Sequence, residues 1–216
     1  MLMLARRAHE FAGVISAERL AAAGHPYRPF DRRHAPNGNW GRIPGLRTLN
    51  GSTLGIIGLG EIGREIALRA AAFGMRIVYF QRTQLTESEE RSLHAQYVEL
   101  DALLAQSDWV IPQLPAVAET RHFLDAARLA KLKPGACIVN VARADLIERS
   151  ALLEALSSGR LGGFALDPLY EAPGRSNDEL LGFRNVIMVP HLGGSPRWNA
   201  LNDCEELITG LAGALA

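Results

Sequence analysis

The sequence has no surplus of charge of either sign: 23 Lys and Arg stand against 23 Asp and Glu, a formal net charge of +0 over 216 residues. A balanced chain offers no electrostatic footprint for nucleic acid or an anionic membrane, so neither is expected as a partner. Cysteine is scarce. The two present, Cys137 and Cys204, lack metal-ligand or redox spacing, so both read as small reduced core residues and no metal site is expected. Long apolar runs are also missing, and none approaches the roughly 20 residues that cross a bilayer as a helix. The opening Met1-Leu-Met-Leu-Ala5 is broken by Arg6, Arg7, His9 and Glu10 instead of following a basic segment, so it does not read as a secretory signal. The expected compartment is the cytoplasm. The length suffices for one doubly wound domain and is short for two.

What is present is organised around Leu54-Gly-Ile-Ile-Gly-Leu-Gly-Glu-Ile-Gly63, a short apolar run followed at once by Gly58-x-Gly60-x-x-Gly63. The run has strand length and nothing polar in it, as a strand buried on both faces requires. Behind it, Ile66-Ala-Leu-Arg-Ala-Ala-Ala-Phe-Gly74 has helical apolar spacing and a glycine stop. Glycines at this spacing serve three ends: a sharp exit from the strand, close approach of a pyrophosphate to the backbone, and close packing of the helix. The helix start then presents unpaired N–H groups to phosphate. A lone match of this kind in a chain with 21 glycines is weak, and its strand-turn-helix context makes it a dinucleotide-binding reading.

From the N-terminus, apolar Leu4, Phe11, Val14, Ile15 and Leu20 among charged residues predict one amphipathic helix over 2–22 whose apolar face needs a partner. It has no cap before Met1, so the chain reads as beginning partway through a larger design. His25 to Asn50 holds four prolines and an exposed-looking Trp40; it predicts an arm packed on a neighbouring subunit, with a linker as the alternative. Strands are predicted at 76–80, 97–98, 108–114, 136–140, 164–167 and 186–189. Helices are predicted over 86–94, 101–105, 119–132 and 150–158, and from about 199 to the end. This alternation predicts a Rossmann-type doubly wound parallel sheet with helices on both faces. The expected division is 1–50 as crossing helix and arm, 51–196 as the NAD(P)-binding domain, and 197–216 as a C-terminal helix. Pro112 sits badly in a central strand, because it has no ladder N–H.

Ligands lie beyond the C-terminal ends of such strands. Those ends carry Gly58, Gln81, Pro115, Asn140 to Arg143, Asp167 and His191. Together with Ser107-Asp108, Glu119-Thr-Arg121, Lys133-Pro-Gly-Ala136, Ala165-Leu-Asp167 and Val189-Pro-His-Leu-Gly193, they make the chain resemble the nucleotide-binding half of the D-isomer-specific 2-hydroxyacid dehydrogenases. The resemblance covers roughly residues 45 to 195, with the pieces in register. It implies hydride transfer between NADP(H) or NAD(H) and a 2-hydroxy acid/2-oxo acid pair of the glyoxylate or hydroxypyruvate type, in a homodimer. It also implies that Arg143 holds the substrate and His191 carries the proton, tasks suited to a fork-shaped permanent cation and to an imidazole. Asp167 resembles the acceptor for the nicotinamide carboxamide. The remaining cofactor positions implied are Gly60, Glu61, Ile62 and Gly63 at the turn, Arg82 beside Gln81, Leu114, Pro115 and Thr120, then Val141 and Ala142 beside Arg143, and Gly193 beside His191.

Three departures from the family pattern matter. The carboxylate that the family places before a proline after the sixth strand is Ala172 here, with Glu171 one residue early and Glu179 more distant. Glu171 replaces it only if the loop shifts, since neighbours on an extended chain point to opposite sides. The family's ribose-binding aspartate is Gln81, followed by Arg82; losing the carboxylate and gaining a guanidinium favours NADP(H), with NAD(H) as the alternative. The family's separate substrate domain is almost wholly absent. Two functions therefore stand: a 2-hydroxyacid oxidoreductase, or a cofactor-binding module without turnover that acts as a sensor or dimerising remnant.

Overall fold

In the computed structural model the described residues are 1–14, 16–29 and 38–194, with Cys204, Glu205, Ile208, Thr209, Ala212 and Gly213 beyond them. The elements, in chain order, are α1 (Leu2–Ala5), α2 (Ala17–Ala22), β1 (Thr53–Ile57), α3 (Glu61–Ala72), β2 (Arg76–Phe80), α4 (Glu87–Leu93), β3 (Ala95–Tyr97) and α5 (Leu100–Gln106). They continue with β4 (Trp109–Pro112), α6 (Ala126–Lys131), β5 (Ala136–Asn140), α7 (Arg149–Ser157), β6 (Leu161–Leu166) and β7 (Val186–Met188). The strands form one seven-stranded sheet in the order β3-β2-β1-β4-β5-β6-β7, and every neighbouring pair is parallel. The order reverses between β1 and β4. That reversal opens the crevice at which doubly wound sheets take their ligands.

Both faces are covered. Ile57, Val78, Val110, Ile138 and Phe164 pack with Leu103, Leu104, Leu129 and Leu152 from α5, α6 and α7 on one side. On the other, Leu54, Ile56, Ile77, Tyr79 and Trp109 pack with Ala67 and Ala70 of α3 and with Leu4. All five residues of β1 are buried, which explains its unbroken apolar sequence. Burial also pushes the Tyr79 phenol up to about 12, while its hydroxyl donates to Glu90 at 2.8 Å. The α4 helix starts on a capping box in which Thr86 and Glu89 exchange bonds; Arg64 beside Glu89 and that box hold the carboxyl at about 2.

Several sequence expectations shift. The single helix over 2–22 is instead two short helices, because Arg7 and Gly13 take positive φ and Ser16 caps a fresh start by accepting from Arg19 N. Leu4 and Leu20 are buried within the chain. The third strand lies at 95–97 and not 97–98. The helix over 119–132 is divided: Leu124 bridges Ile147 in parallel, and α6 begins only after Asp125 caps it. Pro112 ends β4. Gln113 N donates to Ile57 O at 2.7 Å, so alternation turns the Pro112 nitrogen toward β5, where the β4–β5 ladder has already ended at Val110. Cys137 is buried as expected, but Cys204 is exposed, so it is not a core residue. Within 25–50, Arg28 N donates to Trp40 O and the Arg47 side chain to Gly135 O, and residues 30–37 lie outside the described ones. The C-terminal helix also falls largely outside them, although the six described positions there are helical.

Candidate active site

Because every strand is parallel, all the strand ends singled out above lie along one edge of the sheet. At the end of β1, Gly58 has φ +95°, and a Cβ on it would stand 2.5 Å from Gln113 O. A Cβ on Gly63 would stand 2.6 Å from Gly58 O, so the third glycine is what lets α3 lie against the turn. Gly60 is different. A Cβ there meets nothing within 4 Å, and Gly60 is the N-cap of α3 without a side-chain cap bond. Two glycines are needed by the protein itself, and the middle one leaves open space in front of the first-turn N–H groups of a 12-residue helix. Glu61 and Ile62 open that helix on its exposed side, Ile62 being 62% exposed.

Gln81, at the end of β2, is fully engaged: its Oε1 accepts from Leu59 N at 3.0 Å and its Nε2 donates to Thr83 O at 2.6 Å. The amide thus braces the glycine turn against the β2 loop. Arg82 next to it is exposed, with no ion-pair partner among the described residues. After β4, Leu114 packs on the core while Pro115 is exposed. The Thr120 hydroxyl donates to Pro115 O at 2.5 Å and accepts from Val117 N at 3.1 Å, which closes this loop on itself.

The other half of the edge holds the titratable groups. Asn140, wholly buried at the end of β5, donates through Nδ2 to Arg143 O at 2.7 Å and accepts from Ala142 N at 3.0 Å. Val141 and Arg143 are left exposed on this turn. Asp167, 7% exposed at the end of β6, accepts from Leu192 N at 2.7 Å and Gly193 N at 3.1 Å. A Cβ on Gly193 would stand 2.9 Å from Asp167 Oδ2, so glycine permits that clamp. His191 N donates to Asp167 O at 3.0 Å, and His191 takes φ +55°, which presents its ring to solvent from a left-handed turn. A cleft of about 450 Å³ is lined by Arg143, Asp145, Leu169, Tyr170, Ala172 and His191 among others. Tyr170 donates to Ile147 O at 2.9 Å, and burial pushes its phenol well above the ordinary value.

The structure brings Arg143 and His191 to one cleft and the glycine turn and Gln81 to another part of the same edge, with the Pro115–Thr120 loop between. It does not bring Glu171 there. That carboxylate is exposed and pairs with Arg175 at 2.5 Å, while Ala172 faces the cleft; Glu179 pairs with Arg149 at 2.8 Å. Sequence reasoning passed over Asp145, which shares the cleft, and the role of Asn140; the Asn-x-x-Arg spacing was the available signal for the latter. The residues present fit a dinucleotide, since Gly60 leaves a cradle that any Cβ would narrow. Among the described residues no helix is long and apolar enough to cross a membrane.

Comparison with known proteins gives a consistent picture. The sequence model of the D-isomer specific 2-hydroxyacid dehydrogenase NAD binding domain matches residues 13–193. A glyoxylate reductase of Thermococcus gammatolerans is 42% identical over 158 residues, 73% of this chain and 46% of that protein. A glyoxylate/hydroxypyruvate reductase B of Erwinia tasmaniensis is 37% identical over 163 residues, 75% of this chain and 50% of that protein. Among solved structures, a glyoxylate reductase from Paecilomyes thermophila superposes with TM-score 0.74 at 35% identity, covering 96% of this chain and 56% of that one. The apo D-mandelate dehydrogenase of Rhodotorula graminis does so with TM-score 0.73 at 32% identity, covering 90% and 53%. The chain spans about half the length of the curated relatives it matches.

Proposed function

We infer the function from one premise: the chain belongs to the D-isomer specific 2-hydroxyacid dehydrogenase family, whose NAD-binding-domain model it matches over residues 13–193. It is an oxidoreductase domain that interconverts a 2-hydroxy acid and its 2-oxo acid, of the glyoxylate or hydroxypyruvate type, with NADP(H) or NAD(H). The observation that carries this reading is the shared cleft of Arg143 and His191 on the same sheet edge as the glycine turn. The α3 N-terminus and Gly60 would hold the pyrophosphate, with Gly58 and Gly63 shaping the turn beneath it and Glu61, Ile62, Leu114, Pro115, Thr120, Val141 and Ala142 as the other cofactor positions along the same edge. A bound nicotinamide supplies or takes up the hydride. Arg143 grips the substrate carboxylate, orienting the carbonyl, and His191 gives its proton to the carbonyl oxygen in reduction and takes it back in oxidation. Asp167 and Gly193 hold the loop that carries His191.

Arg82 supports NADP(H) over NAD(H), because Gln81 has both amide ends engaged and leaves the exposed guanidinium as the group available to a 2′-phosphate. Exposed Leu2, Met3, Leu68 and Phe73 support a homodimer, for which light scattering at working concentration is the check. Two unpaired cysteines support a reducing compartment, the cytoplasm. The second reading, a cofactor-binding module without turnover, is favoured by one observation: the cleft wall beside His191 carries Ala172, and Glu171 is turned to Arg175. Titration of the chain with NADPH and NADH by fluorescence, then with glyoxylate, hydroxypyruvate and pyruvate, separates the two. Oxidation of the reduced cofactor supports the enzyme, binding without oxidation supports the module, and no binding sinks both.

A further inference from the structure

The buried polar side chains among the described residues fall into two groups. Thr53 and Ser107 lie toward the N-terminal edge of the sheet and are occupied locally, Thr53 by Arg76 and Ser107 by Leu103 O. Asn140 and Asp167 lie at the opposite edge, on adjacent strands in contact with the cleft-forming turns. A wholly buried amide is costly unless both of its ends are satisfied, and an apolar residue would serve a buried strand at least as well. Asn140 meets that demand by bonding two main-chain groups of one turn, Ala142 N and Arg143 O. No other side chain among the described residues fastens Asn140–Arg143 this way except Arg143 itself, whose guanidinium reaches back to Ala142 O at 2.7 Å.

The backbone of Asn140 continues the connection. Its carbonyl accepts from Asp167 N at 3.0 Å, and the Asp167 carbonyl accepts from His191 N at 3.0 Å. Arg143 and His191, on different strand ends, are therefore joined at Asn140 by three hydrogen bonds: its side chain holds the Arg143 carbonyl, and two main-chain bonds run through Asp167 to His191. We propose that Asn140 is a positioning residue: through its amide it sets where the Arg143 guanidinium meets an incoming carboxylate, relative to His191. It acts through Arg143 and touches neither substrate nor cofactor. Small displacements of a gripping residue are expensive in reactions that depend on alignment, so a loosened turn weakens substrate capture before it weakens the fold.

This rests on the assignment of Arg143 to the substrate, and the test keeps the two apart. Oxalate, a planar dicarboxylate resembling a 2-oxo acid, is titrated into the NADPH-loaded chain, with Asn140→Asp, Arg143→Ala and the double variant beside the parent. Asn140→Asp removes the donor to Arg143 O and sets a carboxylate against that carbonyl; Asn140→Ser removes the donor without a charge and serves if the first variant does not fold. The expected result is at least tenfold weaker oxalate binding in either Asn140 variant, NADPH affinity changed less than threefold, and no further loss when the variant is added to Arg143→Ala. Losses that add in the double variant, or NADPH affinity falling in step with oxalate, overturn the inference alone. Unchanged oxalate binding in Arg143→Ala overturns the substrate assignment and the inference with it.

Discussion

Two glycines separated by one residue respond oppositely to the same added methyl group, and that contrast tests the turn as a phosphate cradle. Gly58→Ala puts a side chain at φ +95°, in the left-handed half of the map, at a cost of roughly 1–2 kcal/mol, and drives its Cβ to 2.5 Å from the Gln113 carbonyl. That neighbour is backbone just past β4, pinned by its own N–H to Ile57 O, and has little room to yield, adding about 1–3 kcal/mol of overpacking. A loss of roughly 2–5 kcal/mol is a large part of the 5–15 kcal/mol that typically holds a domain folded. Gly60→Ala meets nothing within 4 Å at φ −73°. Its weaker capping and its smaller unfolded-state entropy act in opposite directions, each about 0.5–1 kcal/mol, so stability should move by less than about 1 kcal/mol. On the proposed cradle, however, the methyl would occupy the space a pyrophosphate needs. Urea denaturation followed by fluorescence should show a much lower midpoint for Gly58→Ala and a parent-like one for Gly60→Ala, while NADPH titration of the latter shows at least tenfold weaker binding. Parent-like NADPH affinity in Gly60→Ala would refute the cradle, and a parent-like midpoint in Gly58→Ala would refute the packing argument.

Asp108 bonds Thr53 N at 2.9 Å and Lys133 at 2.6 Å; burial pushes its carboxyl up, but Lys133 and the Thr53 N–H more than offset this and hold it below the ordinary range. A depressed folded value contributes stability that is present above the unfolded value of about 3.9 and is lost as pH falls through the folded one. Asp108→Asn should therefore flatten the acid limb of a stability–pH curve below about pH 4 and cost roughly 1–3 kcal/mol at pH 7; an unchanged limb counts against the pair. Burial raises the Cys137 thiol, with Arg47 and the chain's own amino group opposing, while Cys204 is exposed. One thiol should react with an aromatic disulfide reagent in the native protein and a second only on unfolding, and two fast thiols would contradict that burial. Arg82→Ala should weaken NADPH by about tenfold and leave NADH nearly unchanged, the loss of one charge-assisted contact; equal effects on both would remove the 2′-phosphate argument.

The parts of the fold legible in the sequence are those fixed by local constraints. Gly63 is glycine because of the Gly58 carbonyl five residues before it, and Gly58 because of its own positive φ, so the turn and α3 are legible from spacing; the contact of Gly58 with Gln113 O, on another strand end, is not. The stretch 119–132 reads as one helix because Phe123, Ala126, Ala127 and Ala130 repeat at helical spacing, whereas Leu124 N bonds Leu146 O and draws the chain into extended pairing with a segment more than 20 residues away. A distant partner overrides a local period. The signal against one helix was Asp125, whose side chain accepts from Arg128 N and starts α6 afresh. The same holds near the N-terminus, where Gly13 and Ser16 mark the break between α1 and α2. Asn140 illustrates the limit: its spacing to Arg143 and its local bonds to the turn are within reach of sequence, but its link to Asp167 and His191 emerges only once β5 and β6 are paired.

The loop after β6 yields a last prediction. The chain bends at 170–173, and here Ala172 lines the cleft while Glu171 reaches Arg175. A carboxylate at 172 would share the cleft with His191, where it would favour the protonated imidazole. An opposite charge within a few ångströms raises such a group by about one unit or more, and each unit is about tenfold in proton affinity. Ala172→Glu should therefore move the His191 ring titration, followed by nuclear magnetic resonance, to higher pH. With a 2-oxo acid as substrate, the rate of carbonyl reduction should rise and extend toward alkaline pH, because the acid form of His191 persists further. The titration is informative even without turnover. An unmoved His191 would mean that position 172 does not approach the ring, and that the resemblance of this loop to the family's catalytic segment stops at its sequence.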